Sequence, residues 1–327
     1  NIGSTFIRAS ERNITEDDVV SAARNAHACS LPPDRRVLHY FDRFYSIDDS
    51  REVMNPLGLV GSKLTADVHI VFGQHNRLET PCSLVADIMS YPATDVAFSG
   101  IAAAIGAFSP EETEKGGLLI DIGAGVTEYA LFHGRGCFHS GQLTVGCEHI
   151  VNDLSIGLRL PIGRSRKILH ELESFGSAVA TPDGRNRLMK VEALGQPGRH
   201  IPISTIEQII ELRLRECFEV ILADLQQHSA LERVGSGVTL SGGGARIPGV
   251  ERLAQHTFQM PVKISRPVSV SGMDEIVSDP RYGTVLGLLR WGKLMMDIGS
   301  PDAVPFWKQV RLDAARLWHV LRKSFRW

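Results

Sequence analysis

The chain has 327 residues, 43% hydrophobic and 22% charged, the make-up of a folded protein of two or more domains rather than a disordered chain or a disulfide scaffold. Residues 305–327 carry six cations against one acid, so the net charge of −2 leaves the rest of the chain at −7; an acidic body with one basic segment argues against general nucleic-acid binding. Cys29, Cys82, Cys137, Cys147 and Cys217 are scattered and the 12 histidines form no HExxH or paired-ligand motif, which predicts reduced, mostly buried thiols and no structural metal.

Taken in chain order, the opening Asn1-Ile-Gly-Ser-Thr-Phe-Ile reads as a strand entered midway, so an upstream segment with further N-terminal strands is expected. Thr15 followed by Glu16, Asp17 and Asp18 predicts a helix to about residue 28, stopped by Pro32 and Pro33. β-rich runs at 37–45 and 66–72 flank the turn-rich Asn55-Pro56-Leu57-Gly58. A helix is expected over 76–89, a short strand over 95–98, an alanine-rich helix over 100–108 and a charged, glycine-ended loop over 111–117. Strands at 118–120 and 127–132 are joined by Asp121-Ile122-Gly123-Ala124-Gly125. Helices follow at 147–158, 163–175 and 204–227, then a strand at 237–240, Ser241-Gly242-Gly243-Gly244, and a helix at 249–257. Strands, glycine turns and helices alternate, so the fold class is α/β.

After a short joint at 299–302, residues 305–327 read as an amphipathic helix. At 100° per residue, Phe306, Trp307, Val310, Ala314, Leu317, Trp318, Leu321 and Phe325 share one face. Lys308, Arg311, Arg316, Arg322, Lys323 and Arg326 lie opposite or on its flanks, against Asp313 alone. Such a helix buries aromatic rings at headgroup level while its cations meet anionic lipid, each contributing about 1 kcal/mol. The predicted membrane-binding set is Phe306, Trp307, Val310, Arg311, Leu317, Trp318, Leu321, Arg322, Lys323 and Phe325. The competing structural reading is a terminal helix docked on its own domain.

In the two glycine loops, Gly123 and Gly125 let backbone amides approach a polyphosphate, and Asp121 is placed to hold a Mg²⁺-bound water. Ser241 to Gly244 ends a strand and precedes a helix, where a nucleotide can rest on bare backbone. The nucleotide-binding candidates are Asp121, Gly123, Ala124, Gly125, Thr127, Ser241, Gly242, Gly243 and Gly244. Each loop alone is a common glycine turn; two of them about 120 residues apart in an α/β chain are the pattern of the actin-like ATPase fold.

The motifs Ile14-Thr-Glu-Asp-Asp-Val, Asn55-Pro-Leu-Gly-Leu-Val-Gly, Leu64-Thr-Ala-Asp-Val-His-Ile-Val, Asp121-Ile-Gly-Ala-Gly, Val151-Asn-Asp-Leu-Ser-Ile-Gly-Leu-Arg, Ile209-Ile-Glu-Leu-Arg and Leu240-Ser-Gly-Gly-Gly stand in one order. In that order the chain resembles FtsA, the actin homologue of bacterial cell division. The resemblance implies ribonuclease-H-like halves, a small inserted α/β subdomain, and ATP with Mg²⁺ in an interdomain cleft. It also implies self-association into filaments and tethering of FtsZ to the inner face of the cytoplasmic membrane at the division septum. The family's FtsZ C-terminal tail binds the subdomain containing the long helix at 204–227, where Arg213 and Arg215 are the candidate partner-binding cations; the competing reading pairs them with the helix's own acids. The implied division is 1–92 (a remnant of the first domain plus the insert), 93–116 (return to that domain), 117–292 (second domain), 293–304 (linker) and 305–327 (membrane helix).

The chain also departs from the resembled pattern. The family's first phosphate loop has no counterpart here, Val126 stands where a threonine is usual, Glu128 replaces an aspartate, and Arg166 and Leu169 occupy the places of adenosine-binding Glu and Lys. An arginine cannot accept hydrogen bonds from ribose hydroxyls. Weak ATP binding and no enzymatic activity are therefore expected. The alternatives are an actin-fold phosphotransferase of the sugar or acetate-kinase kind, and an actin-like platform protein of a pilus or secretion machine.

Overall fold

The computed structural model describes residues 2–7, 12–93, 95–134, 136–175, 188–191, 198–266 and 278–298. β1 (Ile2–Phe6), β3 (Arg35–Ile47), β4 (Arg51–Val53) and β6 (Lys63–Gln74) form an antiparallel sheet in the order β1-β6-β3-β4; β2 (Arg12–Asn13) and β5 (Val60–Gly61) make a separate ribbon. Helix α1 (Glu16–His27) begins where the Asp18 carboxylate accepts from the Thr15 N–H at 2.9 Å and from Thr15 Oγ1 at 2.6 Å. It lies on the sheet over Leu64, Ala66 and Val68. Approach is close because Gly3 has no side chain: an added Cβ would sit 2.0 Å from the Ala26 nitrogen.

The middle of the sheet packs on both faces, and a bulge in β3 serves both. Its register with β6 shifts between Asp42 and Phe44, and one extra residue reverses the face on which later side chains emerge. Tyr45 thus packs with Leu64 and Ala66 beneath α1, whereas Phe41 packs with Phe132 and Cys137 of the second sheet.

Helices α2 (His75–Met89), α3 (Ser99–Ala107) and α4 (Pro110–Lys115) follow. Two expectations are corrected in this stretch. Residues 95–98 are not a strand: the Phe98 N–H donates to His39 Nε2 (3.0 Å), the Val96 N–H to Asp95 Oδ1 (2.7 Å), and Trp291 Nε1 donates to Asp95 Oδ2 (2.9 Å), so side chains take the place of a ladder. Residues 111–117 are not a loop, because Ser109 and Glu112 close a capping box (2.9 and 3.3 Å) with Pro110 in the first turn, and α4 forms behind it.

The second sheet contains β7 (Gly117–Ile122), β8 (Thr127–His133), β9 (Gly136–Leu143), β12 (Val238–Ser241) and β13 (Val262–Ile264), in the order β13-β12-β7-β8-β9. β13, β12 and β7 are parallel; β7, β8 and β9 are antiparallel. Leu118, Leu119 and Ile120 are fully buried, as befits a strand covered on both faces. Leu118 and Ile120 face α5 (Cys147–Leu158), α6 (Ile162–Phe175), α7 (Ile203–Gln227) and α8 (Val250–Phe258), while Leu119 joins α3 on the other face. The hairpin β10 (Leu188–Val191) and β11 (Arg199–Pro202) leads into α7.

Helix α9 (Gly283–Ile298) crosses α3 through bare backbone. A Cβ on Gly287 would lie 1.7 Å from the Ala102 oxygen, and one on Gly106 2.5 Å from the Gly283 oxygen. Gly292, on the same helix, faces open space. Gly287→Val should therefore cost about 3 kcal/mol by overpacking, seen as a lower Tm, while Gly292→Ala should leave Tm unchanged or raise it; equal effects would contradict this crossing.

Candidate functional site

Parallel pairing of β7 with β12 places Ser241 opposite Asp121, so both glycine loops emerge from the carboxyl edge of the sheet, side by side. Open α/β sheets bind ligands at this edge. The first loop is a turn closed by the Gly123 N–H donating to the Val126 oxygen at 2.9 Å. Its carbonyls turn toward α5: the Cys147 N–H donates to the Gly123 oxygen (3.0 Å) and the Glu148 N–H to the Ala124 oxygen (2.8 Å). Ala124 and Gly125 are exposed, and a Cβ at Gly125 would meet nothing within 4 Å.

The second loop lies against the first. Gly242 has φ +80°, and a Cβ there would sit 2.3 Å from Asp121 Oδ1 and 2.5 Å from the Ile122 oxygen, so only glycine fits. Gly244 presses on Ile122, whereas Gly243 faces open space. The Gly242 N–H and Ser241 Oγ both donate to the Pro280 oxygen, at 3.1 and 3.2 Å. The start of α9 is thereby drawn in: a Cβ on Gly283 would be 2.6 Å from Ser241 Oγ, and Thr284 Oγ1 donates to Asp121 Oδ2 at 2.9 Å.

Asp121 and Glu128 are cross-strand partners. Burial raises both carboxyl pKa values, and the hydrogen bonds from Thr284 and from Ser99 Oγ (2.7 Å) oppose this only in part. Two carboxylates, a threonine hydroxyl and backbone beside them suit a hard, oxygen-seeking cation such as Mg²⁺, and the bare faces of Gly125 and Gly243 leave room for a phosphate-bearing ligand.

Of the candidate residues, the structure brings Asp121, Gly123, Ala124, Gly125, Ser241, Gly242, Gly243 and Gly244 together. Thr127 is turned inward, buried, its hydroxyl donating to the Val145 oxygen at 2.8 Å. Leu169 is a core residue, and Arg166 is tied to Glu148 at 2.7 and 3.2 Å. Arg213 forms a bidentate pair with Asp153 of α5 (2.7 and 3.0 Å) and a bond to Glu216 (2.6 Å); Arg215, more exposed, pairs with Glu211 one turn back on its own helix. The terminal-helix residues from Phe306 to Phe325 lie outside the described residues. Thr284 and Ser99, which hold the two carboxylates, carry no local sequence signal; only the glycines at 283 and 287 mark a helix start that must sit close to something.

The family model described as "Cell division protein FtsA" matches residues 118–287, more than half of the chain. The chain belongs to the FtsA family. A second model, "SHS2 domain inserted in FTSA", matches residues 3–72, the body built by β1 to β6. The FtsA of Pseudomonas aeruginosa is 29% identical over 289 residues, covering 86% of this chain and 67% of that protein. Escherichia coli FtsA is 26% identical over 298 residues, covering 88% and 70%. The chain thus spans about two thirds of the length of these relatives. Among solved structures, MreB5 of Spiroplasma citri bound to AMPPNP aligns with TM-score 0.54 and 20% identity over 67% of this chain and 65% of that one. A PilM-PilN type IV pilus biogenesis complex aligns with TM-score 0.51 and 13% identity over 89% of this chain and 76% of that one. The likenesses establish an actin/MreB-like α/β fold carrying an SHS2 insert. In this FtsA-family chain the two loops stand side by side at the carboxyl edge of the second sheet.

The raised pKa of Asp121 gives a pH test. A carboxyl whose folded pKa lies above its unfolded value, about 3.9 for aspartate, carries no penalty below that value and a growing one as pH rises through the folded pKa. Asp121→Asn removes the penalty while keeping an acceptor for Thr284. Urea melts should show the variant more stable than the parent at pH 7, the gap closing as pH falls toward 4; a variant less stable at pH 7 would mean the carboxylate is net stabilising.

Proposed function

We propose that this chain is a peripheral membrane adaptor of cell division, which holds the tail of the FtsZ filament at the inner face of the cytoplasmic membrane, self-associates through its actin-like body, and uses ATP with Mg²⁺ as a weakly bound conformational ligand rather than as a fuel. The observation that carries the reading is the match of the FtsA family to the second sheet and its helices together with the SHS2 insert. The charge pattern of residues 305–327 supports the membrane contact. Residues 305–327 are too interrupted by charges to supply the roughly 20 consecutive apolar residues a span needs, so the attachment proposed through this segment is peripheral. Loose nucleotide binding accords with Arg166 spent on Glu148 and Thr127 spent on Val145.

The two arginines of α7 divide in role. Arg213 ties α7 to α5, and reversing its charge would leave Asp153 facing a second carboxylate; it is a structural tie. Among the described residues Arg215 pairs with Glu211 in an exposed helix pair worth a few tenths of a kcal/mol, so a tail carboxylate can compete for it at little cost.

Flotation of anionic vesicles with labelled FtsZ tail peptide tests the reading. The full chain should carry the peptide to the vesicles in a salt-sensitive way, a chain ending at Val304 should not, and Arg215→Glu should reach the vesicles without peptide. Arg213→Glu should instead lower Tm. Peptide recruitment that ignores both the terminal segment and Arg215 would reject the assignment, and recruitment of a pilus-type partner tail in its place would favour the platform reading.

A further inference from the structure

Asp224 and His228 sit one helical turn apart at the carboxyl end of α7, His228 capping it. His139 reaches the same point from β9. Its Nε2 lies 2.6 Å from Asp224 Oδ2, and His228 Nδ1 is 3.3 Å from Asp224 Oδ1. The two imidazoles are stacked, centroids 4.7 Å apart at 28°. One nitrogen of each ring and a carboxylate oxygen all lie within 4.8 Å of one another.

The geometry points to a divalent transition-metal site, with His139 Nε2, His228 Nδ1 and the Asp224 carboxylate as ligands, Zn²⁺ as the best-fitting ion and water completing the coordination. Two imidazoles with one carboxylate form a three-ligand zinc set that leaves a position open, and nitrogen donors disfavour Mg²⁺ and Ca²⁺. In tetrahedral coordination, ligand atoms about 2.1 Å from the metal stand about 3.4 Å apart. The His139–Asp224 pair must open by less than an ångström to reach this spacing, and the others need move no more than about 1.5 Å.

The surroundings fit. Tyr129 Oη donates to Asp224 Oδ2 at 2.5 Å, the kind of outer bond that fixes a ligating carboxylate. His139 is mostly buried, which shields the site on one side, while the half-exposed His228 gives access from solvent. Arg43 lies over the Phe138 ring at 3.9 Å and pairs with Asp67 at 3.4 Å, so its charge is partly answered before it reaches the site. The ligands span two elements and so form no local metal motif; in the sequence only the i, i+4 spacing of Asp224 and His228 is visible.

An occupied site would staple α7 to β9 beside the seam with the inserted body, where His69 Nε2 meets Ser140 Oγ at 2.8 Å. The competing account is a hydrogen-bonded latch in which His228 Nδ1 satisfies the Asp224 carbonyl (2.9 Å) at the end of its own helix.

The test is Co²⁺ titration of the full chain, stripped of metal and without a polyhistidine tag. Visible d–d bands should saturate at one equivalent and vanish when Zn²⁺ is added. His228→Ala and Asp224→Asn should each weaken binding by more than about 100-fold, and Tyr129→Phe by about 10- to 100-fold; His256→Ala, at an exposed histidine on α8, should change nothing. His228→Ala removes an exposed side chain at a helix end, so it keeps the test sound even if Asp224→Asn misfolds. No bands in the parent, or bands that His228→Ala leaves intact, would overturn the site.

Discussion

Val238–Ser241 runs parallel to Gly117–Ile122, in register from Val238 against Leu118 to Ser241 against Asp121, and that pairing places everything else at the site. Parallel strands end at the same edge, so a turn and a loop distant in sequence emerge next to one another. The contact sets the bare backbone of the second loop against Asp121 and Ile122 and admits no side chain at Gly242 or Gly244. Its partners are fixed from both sides, by the amides of α5 on the Gly123 and Ala124 carbonyls and by the Pro280 carbonyl on Ser241 and Gly242. The loops are preorganised, and a ligand there would not have to order them first.

The same economy of side chains governs α9. Gly283 and Gly287 let it lie on Ser241 and on α3 without intervening atoms, which brings the Thr284 hydroxyl to Asp121 and the Trp291 indole to Asp95. Asp95 in turn stands next to the segment that His39 holds from the inserted sheet. Insert, α9 and carboxylate edge are thereby linked by three buried or half-buried polar contacts. A tilt of α9 would be felt at Asp121 and at the insert together, which gives occupancy of the loops a physical route to the insert.

Much of this was legible in the sequence where a residue type has one strong reason to be present. The glycine loops, the capping residues of α1 and the apolar periodicity of α5, expected and found over 147–158, are of that kind. The long strands β3 and β6 were legible in their centres, but their ends are set by pairing with each other. What the sequence did not disclose depends on partners far along the chain. Residues 95–98 look β-prone but are claimed by His39 and Trp291; β9 and β13 are strands chiefly because β8 and β12 lie beside them; and Thr127, a natural phosphate ligand by position, is taken by the Val145 carbonyl. The α4 helix is a different case, since Ser109, Pro110 and Glu112 signalled it locally and its charge obscured the signal.

The central claim is that the two glycine loops act as one ligand-facing surface. Amide hydrogen exchange of the full chain, with and without saturating Mg²⁺-ATP, addresses it directly. The account predicts that amides of residues 123–126 and 241–244 gain protection together and at the same nucleotide concentration, with the start of α9 following. Protection of one loop without the other, or of neither at saturation, would contradict it.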